Sequence, residues 1–288
     1  MPELPEVEVV KRSLKKRIKN LTFRKISIFT EKLRYPIDKK ALKKIRHEKI
    51  IKIYRRSKYL IFNFKNSFSL LVHLGMTGKF IFQNKLKAKY RTSFYYKVSN
   101  FSDKHNHIKF EINKNLSLIY NDVRKFGFIK LLKTSDIKNS KHLKSLGPEP
   151  LSNKFNVNFF LKNILQRKIN IKNILMDQKF VSGLGNIYVN EALFLSKINP
   201  NRSVKKISVK EIKLLIKMIK TVLKRSISFG GSSIKDFKDS TGKSGNFQQK
   251  FYVYDRDGLQ CLRRNCTSTI KRRKLSNRSS FYCKICQK

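Results

Sequence analysis

The first residues of the chain have the spacing of a helix with one apolar face. Hydrophobic residues recur every three or four positions, at Val7, Val10, Leu14, Ile18 and Leu21. This is the period of an α-helix. Pro5 precedes most of this run and suits the first turn of a helix, where its missing N–H needs no partner. We predict an amphipathic helix that begins at Pro5 and leaves the N-terminus accessible.

Short stretches rich in β-branched and aromatic residues follow, separated by turn residues, and helical spacing is rare among them. This pattern favours an antiparallel sandwich or barrel. The predicted strands are 23–29, 58–64, 68–74, 92–98, 108–112, 116–120 and 128–132.

The period changes after the polar stretch 133–151, which ends in Gly147, Pro148, Glu149 and Pro150. Such a composition is typical of an interdomain linker. Beyond it the spacing is helical again, and a segment rich in Gly, Ser and Lys at 240–245 leads to the C-terminal tail. The predicted helices are 155–166, 171–177, 186–197 and 208–229.

The charge of the chain indicates the kind of partner it binds. Lys and Arg total 67 against 18 Asp and Glu, for a formal net charge of +49. Such an excess favours a polyanion, because each phosphate that is neutralised releases counterions. The abundance of Lys, Ile, Asn and Phe is also typical of a genome rich in A and T. Charge alone therefore does not distinguish DNA from RNA as the partner.

Hydrophobic residues make up 40% of the chain, enough for a globular core, and they form no run long enough to cross a membrane. The first residues are acidic, with Glu3, Glu6 and Glu8, and they do not resemble a secretory signal. We expect a cytoplasmic protein with no membrane association.

The four cysteines all lie close to the C-terminus, at Cys261, Cys266, Cys283 and Cys286. Their spacing suits one tetrahedral zinc ion bound by four thiolates from two knuckles. The alternative is a cluster of unrelated free thiols. We predict one structural Zn²⁺, no organic cofactor, and a basic finger that presents Arg278 to DNA on a hairpin.

The N-terminal residues carry a candidate nucleophile. Removal of Met1, which is usual before a small residue, exposes the secondary amine of Pro2. An α-amino group titrates at about pH 8, so a useful neutral fraction exists at physiological pH. Its iminium with a sugar aldehyde favours β-elimination, and the adjacent Glu3 is placed to transfer protons. The alternative for these residues is an ordinary helix start.

Two further segments are candidates for DNA contact. The turn 183–186 precedes a helix whose first N–H groups can bind a phosphate, although a packed glycine turn explains it equally well. Proteins that extrude a base often push apolar side chains into the gap, and Met76 and Phe126 are candidates, with Arg124 facing the orphaned base. Taken singly, each is also compatible with core or turn.

These features occur together and in order, and in this combination the sequence resembles the bacterial formamidopyrimidine-DNA glycosylases. The resemblance covers essentially the whole chain. It is carried by the segments 2–8, 55–60, 73–78, 104–107, 120–127, 146–151, 172–177, 183–188 and 281–288.

The resemblance implies a bifunctional DNA glycosylase and abasic-site lyase of base excision repair. Such an enzyme excises oxidised purines, namely 8-oxoguanine and formamidopyrimidines, and cleaves the strand by β,δ-elimination. The implied architecture is α+β and multidomain: an N-terminal catalytic β-sandwich flanked by helices, a helical domain with a helix–two-turn–helix motif, and a C-terminal zinc finger. The predicted bounds are 1–133 for the sandwich, 134–150 for the linker, 151–240 for the helical domain and 247–288 for the finger.

The resemblance also implies roles for single residues. Pro2 would be the Schiff-base nucleophile, Glu3 the acid for the glycosylase step, and Lys58 the proton donor in β-elimination. Arg278 would assist δ-elimination, and Glu6 and Glu191 match acids near the active centre. Residues expected to contact DNA or the flipped nucleotide are Lys58, Met76, His105, Arg124, Phe126, Arg167, Lys172 and Asn186.

The implied partner is duplex DNA with oxidised bases or abasic sites, bound by a monomer in a bacterial cytoplasm, in association with the nucleoid. The chain departs from the family pattern at the finger, because four residues instead of two separate Cys261 from Cys266. Knuckles tolerate roughly two to four residues there, so only the local loop shape is affected. Ser57 and Lys125 also differ from the pattern, and we expect both substitutions to be harmless.

Two other functions remain open from the sequence. One is the endonuclease VIII branch, which prefers oxidised pyrimidines, although the opening 2–7 and the set Met76, Arg124 and Phe126 favour the purine branch. The other is a DNA-binding or architectural zinc-finger protein without enzymatic activity. That function requires neither a free N-terminus nor Glu3.

Overall fold

The computed structural model describes residues 2–84, 89–91, 102–164, 167–231 and 251–288. The chain divides into two compact units. The first comprises Met1–Lys144 and a segment that begins at Phe229, and the second comprises Ser145–Ser228 and Phe247–Lys288. The four-part division into domains stays a prediction.

The first unit opens with helix α1, Leu4–Ile18, whose N-cap is Glu3. The Glu6 side chain accepts a hydrogen bond from the Glu3 N–H at 2.9 Å, so it satisfies a donor at the helix start. Basic residues in the last turn complement the helix dipole. The predicted start at Pro5 is one residue late, and the prediction for Leu21 is wrong. Leu21 lies beyond the helix and is 37% exposed.

The described strands of the first unit form two antiparallel sheets. The five-stranded sheet has the order β1-β7-β8-β5-β6 and the four-stranded sheet the order β2-β3-β4-β9. A short helix, α2, covers Lys39–Lys43. The strands are β1 Lys25–Ile28, β2 Ile50–Arg56, β3 Tyr59–Phe64, β4 Phe68–His73, β5 Lys79–Asn84, β6 Lys89–Arg91, β7 Asn106–Asn113, β8 Leu116–Asn121 and β9 Phe128–Lys133.

One hydrophobic core joins both sheets and α1. Phe62 of the four-stranded sheet meets Phe80 of the five-stranded sheet edge-on, with ring centres 5.9 Å apart. Phe23 and Phe110 add a second aromatic pair at 4.7 Å. Two sheets that share one core form a sandwich, so the predicted fold class is confirmed.

Strands β2, β5 and β6 lie outside the predicted strands. In β2 the charged residues Lys52, Arg55 and Arg56 interrupt the apolar pattern, because only one face of the strand is buried. The strand is stabilised by its antiparallel pairing with β3. The alternation of polar and apolar residues within β2 alone does not predict this pairing. The predicted strand 92–98 lies outside the described residues.

The second unit contains four helices and a hairpin among its described residues. The helices are α3 Val157–Ile164, α4 Ile171–Met176, α5 Asn186–Leu195 and α6 Val209–Ser228. Each lies within a predicted helix. Helix α3 begins two residues later than predicted, α4 is one residue shorter, and α5 and α6 are each two residues shorter. Strands β10 Ile270–Leu275 and β11 Arg278–Cys283 pair antiparallel. The predicted segment 240–245 lies outside the described residues.

The hairpin turns at Ser276 and Asn277, which have φ of 47° and 61°. Two left-handed residues in a row are typical of the tight turn that matches the twist of antiparallel strands. Arg278 is the first residue after this turn, as the predicted hairpin requires.

Among the described residues, no helix combines the length and apolar composition needed to cross a membrane.

Candidate active site, DNA-contact loops and metal centre

The start of α1 forms a buried acidic cluster. Pro2 is buried, and Glu3 and Glu6 are 3% and 1% exposed. Gly231, with φ of +87°, lies against Glu6, since a Cβ on it would be 3.3 Å from the Glu6 carboxylate. The candidate nucleophile is therefore enclosed together with two buried acids of the same segment, and the predicted accessible N-terminus is not found.

An ion-pair chain ties α1 to the turn that carries Lys58. Glu8 binds the Arg55 guanidinium at 3.1 Å, and Arg55 donates to the Ser57 carbonyl at 2.8 Å. Ser57 has φ of 54°, so this link holds a strained turn between β2 and β3. Lys58, next in the chain, is 7% exposed.

The carboxylate of Glu8 is well stabilised in its charged form. Burial raises its pKa, but the hydrogen bond from Lys11 and the charges of Arg55 and Lys11 outweigh burial, so the net pKa is lowered. Glu8 is therefore a fixed anion between the basic groups of α1 and β2.

His73 ends β4 and is held in its neutral form. Its ring stacks on Phe128, with centres 5.7 Å apart, and its Nδ1 accepts the Gly75 N–H at 3.1 Å. Burial, together with the charges of Lys58 and Arg34, lowers the pKa of His73 to about 4.

The proposed wedge residues lie on two adjacent loops of the first unit. Met76 and Phe126 are 36% and 45% exposed, and the Arg124 guanidinium lies 4.5 Å from the centre of the Phe126 ring. These residues line a cavity of about 630 Å³ with Arg34 and Lys125. The cavity thus combines apolar walls with cations, a composition suited to a base and its phosphates.

His105 lies at the end of a short 3₁₀ turn before β7 and is half-buried. Its carbonyl accepts the Asp122 N–H at 3.1 Å. This bond places His105 next to the loop that carries Arg124.

In the second unit, helices α4 and α5 hold the hairpin through polar side chains. The Lys172 ammonium donates to the Ser279 carbonyl at 2.8 Å and to the Ser280 hydroxyl at 2.7 Å. Asn186 donates to the Ser279 carbonyl at 3.0 Å. Lys172 and Asn186, which the sequence predicts as DNA contacts, therefore also position the strand that begins at Arg278.

The Lys172 side chain is 1% exposed. Burial and, to a smaller extent, the nearby charge of Arg278 together lower its pKa to about 7. At neutral pH a substantial fraction of Lys172 is uncharged.

Arg167 makes an ion pair with Asp177 at 3.1 Å, and its guanidinium lies 5.8 Å from the Phe180 ring. Both partners are partly exposed. Asp177 therefore orients the Arg167 side chain, which is predicted to contact a phosphate.

The four cysteine sulfurs lie within 4.8 Å of one another. Cys261 and Cys286 are 3.9 Å apart and Cys266 and Cys283 are 3.7 Å apart. Tetrahedral zinc with Zn–S bonds of about 2.3 Å places its sulfurs about 3.8 Å apart. The donor set and its spacing therefore fit a four-thiolate metal site, in spite of the longer first knuckle.

The thiols have unequal pKa values. Burial raises the pKa of Cys283, but N–H groups of Cys286 and Ile285 outweigh it and lower the pKa to about 7. Burial raises the pKa of Cys261 and Cys286, and neighbouring cysteine sulfurs add to it. A bound cation would stabilise all four thiolates.

Two family models match the chain. The formamidopyrimidine-DNA glycosylase N-terminal domain matches residues 1–129, and the formamidopyrimidine-DNA glycosylase H2TH domain matches residues 146–238. The chain is 41% identical to formamidopyrimidine-DNA glycosylase of Rickettsia bellii over 289 residues, which is all of both chains. It is 39% identical to that of Rickettsia felis over 287 residues, all of this chain and 98% of the relative.

The chain belongs to the formamidopyrimidine-DNA glycosylase family.

Solved structures of this glycosylase family have the same fold. A Lactococcus lactis Fpg variant in complex with Fapy-dG-containing DNA has a TM-score of 0.86 and 33% identity, with 100% of both chains covered. The complex of Lactococcus lactis Fpg with DNA containing an abasic site has a TM-score of 0.84 and 33% identity, with 99% of both chains covered.

Membership of the glycosylase family makes this chain an enzyme of base excision repair, a DNA glycosylase with lyase activity at abasic sites. The alternative of a non-enzymatic zinc-finger protein is thereby excluded.

Some polar residues that organise this glycosylase received no role from the sequence. Asn190, buried in α5, accepts the Phe281 N–H of β11 at 3.1 Å. Glu8 occupies the buried side of α1 and joins it to β2. In the sequence, each of these residues is only a polar residue among apolar neighbours. That pattern does not indicate which distant residue will be its hydrogen-bond partner.

Proposed function

We propose that this glycosylase excises oxidised purines, 8-oxoguanine and formamidopyrimidines, from duplex DNA and then cleaves the strand at the resulting abasic site. The observation that carries the proposal is the buried pair Pro2 and Glu3 at the start of α1, a helix that Glu8 and Arg55 connect to the turn of Lys58. Substrate choice is supported by the Lactococcus lactis structures, whose DNA contains Fapy-dG.

The first step joins the N-terminal amine to the sugar. With Met1 removed, the Pro2 nitrogen attacks C1′, the glycosidic bond breaks, and the base departs with a proton. Glu3 supplies the acid for this step. The product is first an aminal, in which C1′ is bonded to both the Pro2 nitrogen and the ring oxygen O4′. The C1′–O4′ bond then breaks, O4′ takes up the proton that the amine lost, and the sugar opens to an iminium between Pro2 and C1′ that has no N–H proton to lose.

The iminium is the electron sink for strand cleavage. Loss of a proton from C2′ expels the 3′ phosphate by β-elimination, in which Lys58 is the proton donor. A second elimination expels the 5′ phosphate, assisted by Arg278. The tether from Glu8 through Arg55 supports the role of Lys58, because it fixes the Lys58 turn to the helix that carries Pro2.

A base must leave the stack before the amine reaches its sugar, and a damaged pair costs less to open. Met76, Arg124 and Phe126 fill the gap, and their exposure at adjacent loops supports this role. Residues proposed to bind the phosphates or the flipped nucleotide are His105, Arg167, Lys172 and Asn186, with Lys58.

The cysteine cluster binds one structural Zn²⁺ in this proposal. The sulfur spacing supports zinc, and the ion supplies folding energy to the finger and takes no part in the eliminations. Duplex DNA is the partner, and the protein acts as a monomer in the cytoplasm.

Borohydride trapping tests the proposal. Untagged protein is mixed with a duplex that carries 8-oxoguanine opposite cytosine. The expected result is a covalent protein–DNA adduct, and peptide mapping should locate the attached DNA on Pro2. A protein with a tag ahead of Pro2 should form no adduct, because its amine is blocked. The matched variant Glu3→Gln should fail on 8-oxoguanine and still trap on a preformed abasic site.

Three results would overturn parts of the proposal. A fully active tagged protein would exclude Pro2 as the nucleophile. Trapping only with oxidised pyrimidines would place the enzyme in the endonuclease VIII branch. Absence of any adduct, with Met1 confirmed removed, would exclude the Schiff-base mechanism.

A further inference from the structure

The two loops that carry the wedge residues are packed backbone against backbone. They are 74–78, between β4 and β5, and 122–127, between β8 and β9. Gly75 has φ of +60°, and a Cβ on it would lie 2.4 Å from backbone atoms of Phe126 and Gly127. A Cβ on Gly127 would lie 1.9 Å from the Tyr120 hydroxyl. The approach is so close that only glycine fits at these positions.

One carboxylate joins the two loops. Asp122 is 0% exposed, and its Oδ1 accepts the Thr77 hydroxyl proton. Its Oδ2 accepts the Gly127 N–H at 2.8 Å and the Tyr120 hydroxyl at 3.4 Å. Hydrogen bonds to a buried ionised carboxylate are among the stronger ones in proteins.

Thr77 completes the connection in the opposite direction. While it donates to Asp122, its hydroxyl oxygen accepts the Arg124 N–H at 3.0 Å. The first loop therefore holds the backbone of Arg124 at the start of the exposed segment, and Asp122 holds Gly127 at its end. Both ends of the segment that carries Arg124 and Phe126 are fixed.

We propose that Asp122 and Thr77 are positioning residues that lock the two loops into one rigid body, so that Met76, Arg124 and Phe126 enter the duplex together. This inference rests on the proposed function, since it concerns the step in which the base leaves the stack. A preformed wedge is advantageous because the conformational entropy of ordering the loops is lost during folding instead of during DNA binding.

The inference assigns different effects to two steps. Neither Asp122 nor Thr77 lies at the start of α1, so the amine chemistry stays intact when the lock is lost. The ability of the protein to unstack the duplex at the lesion should be lowered instead. A role confined to general stability would lower both steps in parallel.

The test uses Thr77→Val, which removes the hydroxyl but keeps the shape, and Thr77→Ser, which keeps the hydroxyl. Each is trapped with borohydride on one strand with an abasic site, first as a single strand and then paired with its complement. In the Val variant, duplex trapping should fall by at least about tenfold, since a misplacement of about 1 Å can cost on the order of 100-fold. Single-strand trapping should stay near wild type, and the Ser variant should match wild type on both.

A second readout needs no chemistry. A duplex with 2-aminopurine next to a tetrahydrofuran abasic analogue reports unstacking as a rise in fluorescence on protein binding. This rise should be smaller with Thr77→Val than with wild type or Thr77→Ser. Asp122→Ala should act like Thr77→Val, because it removes both acceptor oxygens that join the two loops.

The outcomes separate this inference from the proposed function. Wild-type protein that traps on neither substrate would contradict the Schiff-base mechanism, and the fluorescence comparison would still test the lock. Equal fluorescence and equal duplex trapping in Thr77→Val and wild type would overturn the lock. Equal losses on single-stranded and duplex substrates would also overturn it. Thermal unfolding of the Val and Ser variants verifies that both are folded.

Discussion

At the scale of single residues, the few acidic residues of this basic chain form buried hydrogen bonds that fix the positions of other segments. It has 18 Asp and Glu against 67 Lys and Arg. Yet Glu8, Asp122 and Glu191 are all buried, and each accepts hydrogen bonds that join separate segments. A buried carboxylate is tolerated only when donors satisfy it, so each such acid fixes the geometry of its donors.

His73 is predicted to be neutral throughout the physiological range. Burial and the charges of Lys58 and Arg34 hold its pKa at about 4, and protonation of Nδ1 would break the bond from Gly75. An NMR titration of the His73 ring should show a midpoint near 4, against the ordinary value of about 6.5 in the urea-unfolded protein. A midpoint above about 6 in the folded protein would contradict this environment.

The same shift makes stability depend on pH. Because the pKa of this base is lower in the folded state, the unfolded state binds more protons between pH 6.5 and about 4. The free energy of unfolding should therefore fall as the pH falls through that window, by up to about 1.4 kcal/mol per pH unit from this group. In His73→Asn, whose Oδ1 can accept the Gly75 N–H, this contribution should be absent.

At the scale of elements, α5 is the scaffold of the second unit. Its first residue, Asn186, and a later one, Asn190, hold β11. Glu191 accepts the N–H groups of Tyr252 at 2.8 Å and of Val253 and Tyr254 at 2.9 Å. One short helix therefore orients both the hairpin and the segment that leads into the finger.

We expect Glu191→Gln to loosen the segment 252–254. One carboxylate oxygen of Glu191 accepts the Tyr252 N–H and the other accepts two N–H groups, so either orientation of a glutamine amide directs its NH₂ at a backbone donor. Leaving a buried donor without a partner costs about 1 to 3 kcal/mol. Urea unfolding followed by Tyr fluorescence measures the loss.

The control for this variant is Glu211→Gln. Glu211 binds Arg202 and Ser208 near the start of α6, where it is partly exposed. Its loss should cost less than that of Glu191, because water can satisfy the freed donors. A Glu191→Gln protein as stable as wild type would show that the segment 252–254 does not depend on this carboxylate.

At the scale of the whole molecule, the metal site and the first unit should respond differently to chelation. The sulfur cluster lies in the second unit, whereas the sandwich has its own core. Removal of the proposed zinc ion should speed amide exchange in β10 and β11 and leave exchange in β3 and β4 unchanged. DNA affinity, measured at one stated salt concentration, should fall.

Readdition of Zn²⁺ is the control and should restore both protection and affinity. Chelated protein that keeps a protected hairpin and full affinity would show that the cysteines do not hold a structural metal. Loss of protection in β3 and β4 as well would show that the sandwich depends on the finger.

The sequence by itself determined the elements that depend on local pattern. The helical stripe of α1, the helices α3 to α6 and the cysteine spacing each follow from residues that are near neighbours in the chain. Period and spacing are local properties, so they are visible without the fold. Order and motif content were also enough to indicate the family.

Only the tertiary structure decided which distant residues meet. Strand β2 forms because it pairs with β3. Glu8 connects α1 to β2 because the fold brings Arg55 within ion-pair distance of it. The contacts of Asp122 with Thr77 and of Lys172 with Ser280 join residues far apart in the chain. A buried polar residue gains its role from the partner that the fold brings to it, and no period in the sequence specifies that partner.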